Sequence, residues 1–228
     1  MEQTGGSNIY GDMQSELVFP NGWGGWRKGS GPRKRKSGVA HVTRPRVKKS
    51  DVMHLTWKLR KELPSLRNNL AARAIFDALR GAKIAGLRVI HFSIQDDHIH
   101  MIVEAPNREF LANSMRGLGC RIAKGLNKAW CRTGKVFAER FHLVLLEGLR
   151  QVRNALRYVL NNHLKHKQGA ERGRPDRFSS GEYFHGWSDF KRLRDPDGMN
   201  SVVSRGSRRV TLGWKRGYAS IALDCVPG

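Results

Sequence analysis

The chain has 228 residues, enough for one domain with extensions and a core of ordinary size. Its 42 Lys and Arg against 19 Asp and Glu leave a formal charge of +23, which points to a polyanionic partner because each phosphate neutralised releases condensed counterions. No run approaches the roughly 18 apolar residues of a membrane span, Met1-Glu2-Gln3 lacks the basic start of a signal peptide, and Cys120, Cys131 and Cys225 form no paired motif, so the expectation is a cytoplasmic, nucleoid-associated protein with no membrane partner.

Residues 1–50 read as a disordered basic arm. Leu17 to Ser50 contains no acidic residue, and its cations lie among Gly and Pro with too little apolar surface to order themselves. Arg33, Lys34, Arg35 and Lys36 are candidate DNA contacts in a narrow minor groove. A solvated tail is the plainer alternative.

Order is expected from Asp51. Asp51 to Arg60 partly alternates, with the β-branched and aromatic content of a strand. Ser65 is placed to cap a helix carrying Leu66, Leu70, Ile75 and Leu79, with Gly86 as its stop. Leu87 to Ile94 predicts a second strand, Gln95-Asp96-Asp97 a turn, and His98 to Ala105 a third strand, antiparallel to the second if the turn closes a hairpin. Leu111, Met115, Leu118, Ile122 and Leu126 form the stripe of a long helix that Gly134 breaks, with Cys120 expected as a small buried thiol. Lys135 to Glu147 predicts a fourth strand, bulged or with a turn inside it, and Leu149 to His166 a last helix.

That order describes an α+β chain, a ferredoxin-like split βαβ palm with an antiparallel sheet and helices on one face. The catalytic domain is expected over 51–167. Residues 168–228 read as a linker followed by a basic, aromatic extension, whose Phe178, Tyr183, Phe184, Trp187, Trp214 and Tyr218 are suited to docking on the palm or stacking on bases.

Alternation on the third strand turns His98, His100, Ile102 and Glu104 to one face and Ile99, Met101, Val103 and Ala105 to the other. The second set belongs against helices, which leaves two imidazoles side by side on the opposite face, an arrangement suited to one divalent ion. On the last helix, Leu149, Val152, Leu156, Val159 and Leu160 share an arc. Tyr158 falls on the opposite arc near Asn154, Asn162 and Lys165, with Asn162 one i,i+4 step away.

His98-Ile-His100, followed downstream by Tyr158-Val-Leu-Asn-Asn162, resembles the single-tyrosine HUH transposases with their IS200-like domain, and within them the REP-associated tyrosine transposases. Supporting stretches are Val89 to Gln95, Gly134 to His142, Val152 to Tyr158, and Ser179-Ser180 to Gly186-Trp187, so the resemblance covers roughly residues 51 to 190. It implies that Tyr158 attacks a phosphodiester of single-stranded or hairpin DNA. His98, His100 and Asn162 would hold Mg²⁺ or Mn²⁺, in a monomer or a homodimer. His163 stands where many relatives carry proline, and Asp97 where an amide or glycine is expected. Arg121, Lys124 and Lys128 on the preceding helix are candidate phosphate contacts, against the plainer reading of a solvated face. Two alternatives stay open: a replication or mobilisation initiator of the HUH type, and a non-catalytic nucleic-acid-binding module, which would need aromatic residues where His98 and His100 stand.

Overall fold

The computed structural model describes residues 45–84, 87–166, 173–190 and 203–227. Its strands are β1 (Val52–Lys58), β2 (Arg88–Ile94), β3 (His98–Glu104) and β4 (His142–Leu146), in the spatial order β2-β3-β1-β4 with every pairing antiparallel. With helices α1 (Asn69–Ile84) and α2 (Arg108–Ala129) as crossovers, this is the ferredoxin-like arrangement expected from the sequence.

Period-two alternation sorts the strand residues. Met53, Leu55 and Trp57 of β1 and Ile99, Met101 and Val103 of β3 are buried together with Ile75 and Leu79 of α1 and with Leu111, Met115, Leu118, Ile122 and Leu126 of α2. Val47 is buried in this core as well. Gly119 is where the backbone of α2 passes the Trp57 indole, and a Cβ there would lie 2.4 Å from it.

A third helix, α3 (Leu149–Leu160), covers the other face, so the helices are not confined to the one face expected. Its Val152, Leu156 and Val159 form a second core with Val52, Ile90 and Ile102. The C-terminal segment completes that core with Phe184, Trp187, Val210, Trp214, Ile221 and Leu223, so these aromatics dock on the palm. The segment also lines the outer edge of β2: Ile94 N–H donates to Phe178 O, Ser180 N–H to Phe92 O and Ser204 N–H to Val89 O. Arg67 anchors it through a bidentate pair with Asp176, at 2.7 and 2.8 Å, in which both side chains are buried.

Several boundaries differ from expectation for identifiable reasons. The N-terminus of α1 is capped by Asn68, whose Oδ1 accepts from Ala71 N–H at 2.9 Å, whereas Ser65 Oγ is engaged with Asp96 at 2.5 Å. Leu70 consequently falls on the solvent side, 67% exposed. Helix α2 stops at Ala129, before Gly134, and Cys120 is exposed because it lies off the buried stripe. Lys135 to Phe141 leaves the sheet except for a bridge between Leu59 and Phe137, and Glu139 O accepts from Trp57 Nε1–H. The expected stop Gly86 and the arm residues Arg33, Lys34, Arg35 and Lys36 lie outside the described residues. No helix among the described residues is long and apolar enough to cross a membrane.

Candidate active site

His98 and His100 stand on the β3 face turned away from the first core. Register sets His100 between Thr56 of β1 and Ser93 of β2, and His98 opposite Lys58. The two rings meet almost at right angles, 85°, with their Nε2 atoms 3.0 Å apart.

The remaining ring nitrogens have partners. His98 Nδ1 lies 2.6 Å from Asp97 Oδ1, so a carboxylate accepts there and leaves the Nε2 lone pair facing His100. His100 Nδ1 lies 3.1 Å from His54 Nε2 and 3.1 Å from Thr56 Oγ1. Burial, then His98 and His54, pushes His100 down to about 2; burial, then His142, pushes His54 down to about 4. Both are neutral at pH 7, the form in which an imidazole offers a lone pair. Burial also lowers His98, against the opposing pull of Asp97.

Tyr158 reaches this cluster from α3. Its ring centroid is 5.1 Å from that of His100 and 5.8 Å from that of His54, in edge-on contacts. Val152, Ala155, Leu156, Val159 and Leu160 are buried, while Tyr158 is half-buried at the margin of the second core. The tyrosine expected on the polar arc therefore comes to rest beside the imidazole pair of its own chain. Lys165 Nζ lies 5.5 Å from the Tyr158 ring centroid, and the His166 ring 5.6 Å from that of His98.

The predicted helix over 149–166 is in fact two. Helix α3 ends at Leu160 and α4 (Asn162–Lys165) follows a break at Asn161, where φ is −104° and ψ 13°. The cause is tertiary: Asn161 Nδ2 donates to the carbonyls of Ala222 and Cys225 at 2.8 and 3.0 Å, tying the tyrosine helix to the C-terminal tail. Asn162, beyond the break, is fully buried, and neither of its amide atoms has a hydrogen-bond partner. His163 is buried with Asp176 and Arg67 as its charged neighbours, and burial lowers its pKa.

Arg121, Lys124 and Lys128 are exposed on α2, whose buried stripe packs on the opposite face of the sheet, so the structure does not bring them to the imidazoles. His54, Thr56 and Lys58 were not among the expected site residues. Their alternation with Met53, Leu55 and Trp57 is visible in the sequence, but the β1–β3 register that aligns them with the imidazoles is not. Among the described residues no group of three or more His, Cys, Asp or Glu side chains is arranged to hold a metal ion.

Fold and geometry together define a class: a four-stranded antiparallel palm bearing a His-x-His pair, with a tyrosine delivered beside it by a C-terminal helix. Among solved structures, the chain is similar to a REP-associated tyrosine transposase bound to a REP hairpin, with a TM-score of 0.55 and 15% identity, covering 73% of this chain and 95% of that one. It has the fold of that transposase, as the sequence motifs implied. A protein from Deinococcus radiodurans, provisionally assigned as a transposase, aligns at 16% identity over 60% of this chain and 99% of its own, but at a TM-score of 0.37 that superposition is too loose to build on. No family model and no curated protein matches the sequence.

Proposed function

We propose that this protein is a transposase of the REP-associated tyrosine type, which nicks and rejoins single-stranded or hairpin DNA through a covalent bond to Tyr158. The observation that carries the reading is the approach of the Tyr158 ring to within 5.1 Å of the His100 ring inside one chain. The fold is shared with a protein bound to a REP hairpin, and the formal charge of +23 suits a nucleic-acid partner.

The residues present fit a divalent cation. Two nitrogens about 2.1 Å from an ion and at right angles to one another are about 3.0 Å apart, and the Nε2 atoms of His98 and His100 have that separation. Asn162 is the third donor that the family resemblance implies, and its buried amide has no hydrogen-bond partner, a loss that coordination to a cation would offset. His98, His100 and Asn162 are therefore the proposed ligands of Mg²⁺ or Mn²⁺, which would polarise the scissile phosphate.

The chain's own groups do the rest. The phenol oxygen of Tyr158 bonds to phosphorus as the bond from phosphorus to the 3′ oxygen breaks; the phenol proton ends on the released 3′-hydroxyl, and a 5′-phosphotyrosine remains. The phosphoester linkage is conserved, so attack by another 3′-hydroxyl rejoins DNA with no external energy source. Lys165 Nζ, 5.5 Å from the centroid of the Tyr158 ring, places a cation beside the phenol. The phenol and the imidazoles that meet here belong to one chain. The basic arm, including Arg33, Lys34, Arg35 and Lys36, and the α2 cations Arg121, Lys124 and Lys128 add affinity for DNA.

The test is a hairpin-bearing single-stranded oligonucleotide incubated with protein and Mn²⁺. Wild type yields a nicked strand and a covalent adduct, whereas Tyr158→Phe yields neither and still binds the oligonucleotide. Equal nicking by Tyr158→Phe rejects the mechanism.

A further inference from the structure

One imidazole of the cluster has no part in the proposed reaction. The His54 ring packs against both the proposed ligand His100 and the proposed nucleophile Tyr158, with ring centroids 5.1 Å from the first and 5.8 Å from the second. Its Nε2 lies 3.1 Å from His100 Nδ1.

A neutral imidazole that gives one nitrogen to a cation must carry its proton on the other, and that N–H needs an acceptor which also fixes the ring plane. His98 has such an acceptor in Asp97. Two atoms lie equally near His100 Nδ1, His54 Nε2 and Thr56 Oγ1, each at 3.1 Å. His54 also packs against the tyrosine ring, and a hydroxyl turns freely about its bond whereas a packed ring does not.

We propose that His54 is a positioning residue that accepts the Nδ1 proton of His100, holding that ring with its Nε2 free for the cation, and that backs the Tyr158 ring against it. The role rests on the metal-assisted reading given above. Asp97 and His54 then serve as matched supports, one for each imidazole, and the site is a row running Asp97, His98, His100, His54 that closes on the tyrosine.

The experiment measures Mn²⁺ binding to the free full-length protein by electron paramagnetic resonance, alongside thermal unfolding without metal. His54→Phe keeps a ring of similar shape and removes the acceptor; it should weaken Mn²⁺ binding by about 10–100-fold, as the loss of a supporting partner does, without lowering the unfolding temperature. His54→Gln, with an amide oxygen in reach, should recover most of the affinity, and Thr56→Val should bind close to wild type. If His54→Phe does not fold, His54→Leu carries the same expectation. Wild-type affinity in His54→Phe overturns the proposal, as does a large loss confined to Thr56→Val. Equal Mn²⁺ binding by wild type and His100→Ala would instead overturn the metal site itself, a failure separate from that of His54.

Discussion

The two faces of this sheet are made by the same strands and have opposite chemistry. One face, from Met53, Leu55, Trp57, Ile99, Met101 and Val103, is wholly apolar and closed by α1 and α2. The other is divided along its length. Val52, Ile90 and Ile102 lie under α3 and the C-terminal aromatics, while His54, Thr56, Lys58, His98 and His100 occupy the remainder beside Tyr158. Alternation alone places imidazoles one residue from a dry core, and the packing around them keeps them neutral. The first face holds the sheet together; the second gives part of its surface to a polar cluster and leans on the tail to hold α3 in place.

Four substitutions or titrations probe that division. The largest effect is expected for Trp214→Ala, which empties the centre of the second core: Trp214 is fully buried, and such a truncation costs about 3–5 kcal/mol, read by denaturant unfolding. Next, His100→Ala should reduce Mn²⁺-dependent nicking by more than about 100-fold, beyond the loss typical of a supporting residue, with unfolding unchanged. An equal loss of stability in that variant would mean that the polar cluster is structural. On the other face, Gly119→Ala drives a methyl group into the Trp57 indole and should cost about 1–3 kcal/mol in unfolding, leaving the nicking rate per folded molecule intact.

The fourth effect is with pH. Burial holds His54, His91 and His100 at about 4, 3 and 2, below the roughly 6.5 of an unfolded histidine. The fold therefore prefers the neutral rings: their contribution is fully present above pH 6.5 and is lost as pH falls from there towards the folded values. Melting temperature should decline between pH 6.5 and 4. His91→Gln should flatten that decline, and an unchanged slope would place the sensitivity elsewhere.

Much of this was legible in the sequence. The alternation of His98 to Ala105 sorted an apolar set from a polar one, the spacing of Leu111 to Leu126 marked the buried stripe of α2, and the off-stripe position of Tyr158 singled it out before any fold was known. Features set by distant contacts were not. Ser65 looks like a cap until Asp96 engages it, and the last helix looks continuous until the carbonyls of Ala222 and Cys225 pull Asn161 aside. His54 reads as an ordinary strand residue, because only the pairing of β1 with β3 brings it to His100.

The most direct test is to locate the bond to DNA. Protein incubated with Mn²⁺ and a hairpin oligonucleotide is digested with protease, and the DNA-linked peptide is sequenced by mass spectrometry. The account predicts a single peptide carrying the 5′-phosphate on Tyr158. A nucleotide attached to Tyr183 or Tyr218, or strand cleavage with no protein-linked product, would contradict it.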